Sequence, residues 1–295
     1  MSSPMRVAGL VETPSFEPEL AELEQFMIAE LSVAEKSSTH LSSAVQAALN
    51  HLASGGQRVR ARLGIEASER LGLAKDDCII IGATAELLHN ASLIHDDLQD
   101  GGMIRRGQPT VLAAFGADVA ILSGDLLLSS AYSAIAQFSR PSMIGEMTRL
   151  VHRRTAQVIR GQCGDISART HAVSDTARYE QIVAGKSGAL LSLPLELALL
   201  GAGFRDALGL AQEAAESFGI GYQIVDDLHD AASDGQFTLN LLNVLSAGHS
   251  EDDANRLARE IGTRHLQFAI SAANRLPRGA GELLGKLARA LSERL

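Results

Sequence analysis

The sequence predicts an all-α protein, with one helical domain over residues 17–295 around a central cavity and a loose arm at residues 1–16. Apolar residues recur every three or four positions along most of the chain, which is the spacing of one helix face. No stretch alternates convincingly between apolar and polar residues, as a half-buried strand does. Aromatic residues make up only 4% of the chain and tryptophan is absent, so leucine, alanine, isoleucine and valine must form the core, which suits closely packed helices.

The helix boundaries follow from this spacing and from the positions of glycine and proline. Gly72 and Gly101 follow apolar runs and are expected to end helices, while Pro141 suits the first turn of one. Pro194 lies inside an apolar run and is expected to kink its helix. Helices are expected from Glu17, around Leu41–Leu52, over Val59–Leu71, Lys75–Asp100 and 117–138, from Pro141 to about Ala168, over Asp175–Leu200 and Asp206–Asp230, with two or three more between Phe237 and Leu295.

Charge and cysteine content bear on partners and location. The net charge of −9 argues against general nucleic-acid binding, which needs a basic surface. Cys78 and Cys163 are the only cysteines, so no disulfide framework is expected and a reducing cytoplasm is the simplest location. The N-terminus lacks the features of a signal peptide. The most apolar run, Ala189–Phe204, is short for a membrane span, so we expect a buried core helix and no transmembrane segment.

Three carboxylates lie close together at the end of a predicted helix. Asp96 and Asp100 are one turn apart on the same face, with Asp97 beside them. Like charges this close repel each other, and the arrangement makes sense if a cation sits between them. Oxygen ligands suit Mg²⁺, which usually bridges carboxylates to substrate phosphates. Arg105 and Arg106 follow at once, and guanidinium groups bind phosphate oxygens in pairs, so this stretch predicts a Mg²⁺–diphosphate site.

A second cluster repeats the same spacing on a later helix. Asp226, Asp227 and Asp230 again follow an apolar helical run. One such cluster alone is more often a solvated helix end, whereas two copies predict two helices that hold metal ions between them. The helix before the second cluster also carries a polar or small stripe, which indicates that it lines a cavity. The members of this stripe are Gln212, Glu216, Gly219, Gln223 and Asp226/Asp230.

Taken together, the ordered motifs resemble those of the trans-isoprenyl diphosphate synthases. The resemblance covers residues 55–230 and rests on GGQRVR, LLHNASLIHDDLQD, RRGQPT, GDLLLS, GQCGDI, GKSGALLSLP and YQIVDDLHD. It implies a single-domain isoprenoid-synthase-type helical bundle that condenses isopentenyl diphosphate with an allylic diphosphate, using three Mg²⁺ ions. It also implies a homodimer. The catalytic residues by this resemblance are Asp96, Asp97, Asp100, Lys186, Asp226 and Asp227, and the metal ligands are the six aspartates of the two clusters, Asp230 included.

The resemblance also assigns two diphosphate sites. Gln57, Arg60, His89 and Arg106 correspond to the family residues that bind isopentenyl diphosphate. The residues expected near the allylic substrate and the cavity are Arg105, Lys186, Ser187, Gln162, Asp165 and Gln223. Asp165 is expected near metal-bound water, and the backbone and hydroxyl of Ser187 near the developing cation. His95 is expected to be structural.

The chain departs from the family pattern at two lysines. Gln57 replaces the lysine of the first glycine-rich motif, and after Asp230 the chain is shorter, with Gly235-Gln236 where a Gly-Lys is usual. Each lost charge-assisted contact weakens binding by about 1.5–3 kcal/mol. Three alternatives therefore stand beside a synthase: a terpene-synthase-like enzyme or prenyltransferase with another acceptor, a weakly active partner subunit, and a helical structural protein, which the ordered motifs disfavour.

Small residues before the first cluster bear on product length. In the family the growing chain passes this point, and bulky side chains stop it early. Ala91 and Ser92 are both small, and the segment from Asp100 to Arg105 lacks an insertion seen in many short-chain bacterial members. The sequence therefore favours a product of C20 or longer. The alternative is that Phe138 or Met147, on another helix, closes the pocket.

Overall fold

A computed structural model describes residues 17–33, 41–171, 173–230 and 239–295, with the side chain of Asp230 outside this set. The predicted arm at residues 1–16 lies outside the described residues, as do Gly235 and Gln236. The helices are α1 (Glu17–Ser32), α2 (Ser43–Ala53), α3 (Val59–Leu71), α4 (Lys75–Asp100), α5 (Val111–Phe115), α6 (Ala117–Ile135), α7 (Pro141–Ala168), α8 (Thr176–Val183), α9 (Ala189–Ala202), α10 (Leu208–Asp230), α11 (Leu241–Ser246), α12 (Glu251–Asn274) and α13 (Glu282–Ser292).

Most helix boundaries agree with the sequence because local residues set them. α3 and α4 begin and end as predicted, and Gly72 and Gly101 follow them in the left-handed conformation, with φ of 82° and 63°. Pro141 occupies the first turn of α7, as expected. The expectation that no strand is present needs a small correction. Ile104–Arg105 (β1) pairs antiparallel with Gln108–Pro109 (β2), and the two-residue turn between them places Arg106 at φ 53° and Gly107 at φ 76°.

The helix expected over Asp175–Leu200 is interrupted before Pro194, and the kink expected at Pro194 stays a prediction. A π-helical segment, Ala184–Gly188, separates α8 from α9, and Pro194 lies inside α9. Close packing accompanies the irregularity. A Cβ atom on Gly161 of α7 would lie 2.4 Å from the backbone nitrogen of Lys186. A Cβ atom on Gly188 would lie 2.8 Å from the Cα of Glu216 in α10. Because Gly161 and Gly188 have no side chain, the backbones of α7 and α10 can both lie against the π-helical segment.

The core is centred on α9, whose residues from Ala189 to Gly201 are all buried, as the apolar run predicted. α9 packs against α3, α4, α7 and α10. A second, smaller cluster of buried residues surrounds Tyr179 of α8 and joins α11 to α12. Part of the polar stripe on α10 serves packing, since Gln212 bonds to Arg154 at 2.7 Å and Glu216 to Gln157 at 2.7 Å, which ties α10 to α7.

Three helical stretches are long and apolar enough to cross a membrane on length and composition alone. They are Lys75–Asp100, Ala117–Ile135 and Thr176–Ala202. The apolar windows of the first and third are 78% and 83% buried by neighbouring helices, whereas that of Ala117–Ile135 is only 44% buried. The absence of a transmembrane segment therefore stays a prediction, and α6 is the apolar helix with the most uncovered surface of the three.

Candidate active site

The three aspartates of the first cluster occupy different environments at the end of α4. Asp97 turns inward and is only 5% exposed. Its carboxylate accepts hydrogen bonds from Arg105, with Nε 3.0 and 2.9 Å from its two oxygens and Nη2 2.9 Å from Oδ1. Asp96 is half-buried and Asp100 is exposed on the neighbouring stripe. Asp96 and Asp100 thus present accessible carboxylates, while Asp97 holds the hairpin that carries Arg105.

The C-terminal part of α7 faces this cluster with three polar side chains at helical spacing. Asp165 Oδ2 accepts a hydrogen bond from Lys186 Nζ at 2.7 Å. Gln162 donates from Nε2 to Gln99 Oε1 at 2.9 Å, and its own Oε1 is buried without a hydrogen-bond partner among the described residues. Arg169 donates to Asp100 at 2.5 Å. Sequence reasoning found Gln162 and Asp165 but missed Arg169, whose only signal was its position one turn after Asp165.

Lys186 and Ser187 lie in the π-helical segment, which positions them against α7 and α10. Both are half-buried. Burial lowers the pKa of the Lys186 ammonium, but the negative charges of Asp96, Asp165 and Asp100 raise it by more, so the pKa is raised overall. Burial also raises the pKa of Asp96, against the opposing effect of the Lys186 ammonium. The side chain of Lys186 is therefore a charged group directed into an acidic cleft.

Asp226 and Asp227 of the second cluster differ in burial, as Asp96 and Asp97 do in the first. Asp227 is 3% exposed and accepts hydrogen bonds from Tyr179 Oη at 2.6 Å, Leu241 N at 2.7 Å and Gln223 Nε2 at 2.9 Å. Burial raises the pKa of Asp227 to about 6, although these donors partly offset the effect. Asp226 is half-buried. Asp227 therefore ties α8, α10 and α11 together, and Gln223 supports this residue.

Arg60, His89 and Arg106 form a basic region beside the glycine-rich loop that precedes α3. Arg106 donates to the Gly55 carbonyl, and its guanidinium lies over Gly56, where a Cβ atom would approach it to 2.6 Å. Arg60 Nε is buried without a hydrogen-bond partner among the described residues. Burial, followed by the charges of Arg60, Arg106 and Arg105, lowers the pKa of His89 well below its usual range. A neutral histidine beside these arginines, one of which has an unpartnered Nε, suits an anionic ligand. Gln57 is half-buried on the loop that leads into α3.

An apolar cavity of about 150 Å³ opens beneath the first cluster, between α4, α6, α7 and α9. Asp96, Gln99 and Gln162 line its polar end, and Ala91 and Ser92 line its wall. Its other lining residues are Leu88, His95, Leu128, Thr155, Val158, Ile159, Cys163, Ile166 and Leu190. Phe138 and Met147 do not line it and instead pack around Gly201 at the end of α9.

The donor chemistry around the cleft fits Mg²⁺ when a substrate diphosphate completes the coordination. Among the described residues, no three histidine, cysteine or acidic side chains converge on one point as a protein-only metal site. Mg²⁺ does not require such a site, because it typically keeps several waters and takes one or two carboxylates together with substrate phosphate oxygens. Asp96 and Asp100 on α4 and Asp226 on α10 offer carboxylates of this kind.

Comparison with known proteins agrees with the fold and the motifs. The family model described as polyprenyl synthetase matches residues 42–239. A short chain isoprenyl diphosphate synthase from Methanothermobacter thermautotrophicus is 28% identical over 236 residues, or 75% of this chain and 72% of that protein. A heterodimeric geranylgeranyl pyrophosphate synthase large subunit from Arabidopsis thaliana is 34% identical over 61% of this chain and 52% of its own length.

The fold is also that of solved isoprenyl synthase structures. A polyprenyl synthase from Caulobacter crescentus, solved with calcium and isoprenyl diphosphate, superposes over the full length of both chains with a TM-score of 0.80 at 19% identity. The likeness extends through the all-helical bundle, including residues beyond the family match. The chain therefore belongs to the polyprenyl synthetase family, and it is a prenyltransferase with the all-helical isoprenoid synthase fold.

Proposed function

We propose that this protein is a Mg²⁺-dependent trans-prenyltransferase that condenses isopentenyl diphosphate with an allylic diphosphate to form a longer polyprenyl diphosphate. The observation that carries the proposal is the junction of the acidic cleft with the apolar cavity. Asp96 borders both, and the charged Lys186 lies beside it. An allylic diphosphate has the same division, with an anionic end and an apolar chain, so its two ends match the two halves of the site.

Different side chains of the cleft bind the two substrates. Asp96, Asp100 and Asp226 would hold Mg²⁺ together with the substrate diphosphate, and the metal would supply the positive charge that neutralises the leaving group and favours cleavage of the allylic C–O bond. Lys186 holds the allylic diphosphate, and Arg60, His89 and Arg106 bind isopentenyl diphosphate. The apolar wall excludes water from the allylic cation, which the double bond of isopentenyl diphosphate then attacks. A proton is then lost to the released diphosphate.

We propose that three Mg²⁺ ions bind, and the support for this number is the resemblance to the family. The Caulobacter crescentus structure contains calcium and isoprenyl diphosphate, which agrees with a divalent metal at such sites. Asp97 and Asp227 remain candidate ligands, but their hydrogen bonds to Arg105 and Tyr179 favour positioning roles. Asp230 stays a proposed ligand from its spacing alone.

Substitution of one aspartate in each cluster tests the proposal. Asp96→Ala or Asp226→Ala should reduce turnover by orders of magnitude while the helical circular dichroism is retained, since removal of one of several like charges relieves repulsion. Asp252→Ala, at an exposed position on α12, is the control and should leave turnover unchanged. The assay follows incorporation of labelled isopentenyl diphosphate with C5, C10 and C15 allylic partners, with and without Mg²⁺.

The outcomes separate the proposed function from its alternatives. Near-normal turnover in either cluster variant would contradict the two-cluster mechanism. Release of diphosphate by the wild type without incorporation would favour a terpene-synthase-like enzyme. A wild type that is inactive with every partner would favour the role of a partner subunit.

We also propose a homodimer located in the cytoplasm. Exposed apolar residues of two neighbouring helices support the dimer. Ile121 and Leu122 of α6 are 46% and 55% exposed, and Ile159 and Ile166 of α7 are 57% and 39% exposed. Ile159 and Ile166 also line the cavity, so Ile121 and Leu122 are the main support for an interface here.

A further inference from the structure

Arg169 stands at the C-terminal end of α7 and reaches across to the first aspartate cluster. Its Nη2 is 2.5 Å from Asp100 Oδ1 and 3.8 Å from Asp165 Oδ2, and its Nη1 is 3.4 Å from the Gln99 carbonyl. Asp165 Oδ2 also accepts a hydrogen bond from Lys186 Nζ. Arg169 therefore lies in the same cleft as the lysine proposed to bind the allylic diphosphate, although no motif of the resemblance includes it.

Arg105 and Arg169, two cations beside the first cluster, differ in how firmly they are held. Arg105 and Asp97 form a buried pair with several short hydrogen bonds, and their side chains are 23% and 7% exposed. The side chains of Arg169 and Asp100 are 36% and 34% exposed. Exposed ion pairs contribute little net stability because water screens them. A divalent ion at Asp100 can therefore displace Arg169 far more easily than one at Asp97 can displace Arg105.

We propose that Arg169 is a diphosphate-binding residue that serves as the counter-ion of Asp100 only while no metal is bound. When Mg²⁺ takes the Asp100 carboxylate, the guanidinium of Arg169 loses its partner and donates to phosphate oxygens of the substrate on that metal. This inference rests on the proposed function. Arg169 would also provide a positive charge for diphosphate binding in a chain that has Gln57 and Gln236 where lysines are usual in the family.

The proposal predicts opposite effects of one substitution on two binding equilibria. In Arg169→Ala, Asp100 has lost its competitor, so Mn²⁺ alone should bind more tightly, by about threefold or more. Inorganic diphosphate in saturating Mg²⁺ should bind about tenfold more weakly, because one charge-assisted contact has gone. Electron paramagnetic resonance measures free Mn²⁺, and titration calorimetry measures diphosphate binding. Arg169→Lys should recover part of the diphosphate affinity.

Arg160→Ala is the matched control, because Arg160 is an exposed arginine on the same helix and lies outside the cleft. Unchanged affinities in Arg169→Ala would show that the residue forms only a surface ion pair. Tighter binding of both ligands would show that Arg169 competes with metal without touching diphosphate, which also overturns the proposal. If the wild type itself fails to bind Mg²⁺ and diphosphate, the proposed function falls together with this inference, whereas the first two outcomes leave that function standing.

Discussion

At the residue scale, the protein uses side chains of one type for different purposes according to their burial. In each acid cluster the second aspartate points inward and binds other parts of the fold, Asp97 through Arg105 and Asp227 through Tyr179 and Leu241. Asp96 and Asp226 are half-buried, and Asp100 is exposed. Buried charges need partners of this kind, because desolvation is costly unless hydrogen bonds replace water.

His51 makes stability depend on pH. This residue of α2 is 6% exposed, and burial, followed by the charges of Arg106, Arg105 and Arg58, lowers its pKa from 6.5 to about 4. Between pH 6.5 and 4 the imidazole of His51 is therefore protonated in the unfolded chain and neutral in the folded chain. The resulting stability is complete above pH 6.5 and is lost as the pH falls towards 4. The loss is about 2 kcal/mol between pH 6.5 and 5.

Urea unfolding of His51→Gln at both pH values checks this contribution. The free energy of unfolding of the variant should fall less steeply than that of the wild type over the same interval. His152→Gln, at an exposed position on α7, should keep the wild-type slope. Equal slopes in all three proteins would show that His51 is not the responsible group.

At the element scale, the packing of α4 against α6, α7 and α9 sets the room available to the product. Ala91 lines the cavity below Asp96, whereas Phe138 and Met147 do not, and a product of C20 or longer stays a prediction. Ala91→Phe should shorten the product, because the ring fills volume that several methylene groups would occupy. Chromatography of the dephosphorylated products measures the chain length.

A phenylalanine elsewhere on the same bundle provides the comparison. Ala156→Phe is placed on α7 outside the residues that line the cavity and should leave the product length unchanged. A wild-type enzyme that stops at C15, or an Ala91→Phe enzyme with an unaltered product, would show that Ala91 does not set the length of the product.

At the scale of the whole molecule, the uncovered face of α6 and α7 is the basis for the proposed dimer. Leu122→Asp places a charge on this face, so it should dissociate the dimer at micromolar concentration without unfolding the helices. Phe268→Asp changes a residue of similar exposure on α12, 43% against 55% for Leu122, and should remain dimeric. Size-exclusion chromatography with light scattering measures the mass. A monomeric wild type, or a dimer that persists in Leu122→Asp, would contradict this interface.

The sequence by itself predicted most of the helices and the family, and with the family a prenyltransferase. The spacing of apolar residues and the glycine and proline positions predicted α3, α4 and the start of α7, because these signals act within a few residues of chain. The repeated aspartate spacing predicted a magnesium–diphosphate site, because residues four apart share a helix face wherever the helix lies. The motifs also identified Lys186, Arg60 and His89 without reference to their neighbours in space.

Only the tertiary structure decided which of these side chains are available and what else lies beside them. Asp96 and Asp97 are adjacent in the chain, yet the approach of Arg105 makes one of them a buried partner of the hairpin. The π-helical segment accompanies the close approach of α7 and α10, which join it from separate parts of the chain. Arg169 meets Asp100 across 69 positions of sequence. Contacts of this kind leave no local pattern, because they depend on how distant helices pack.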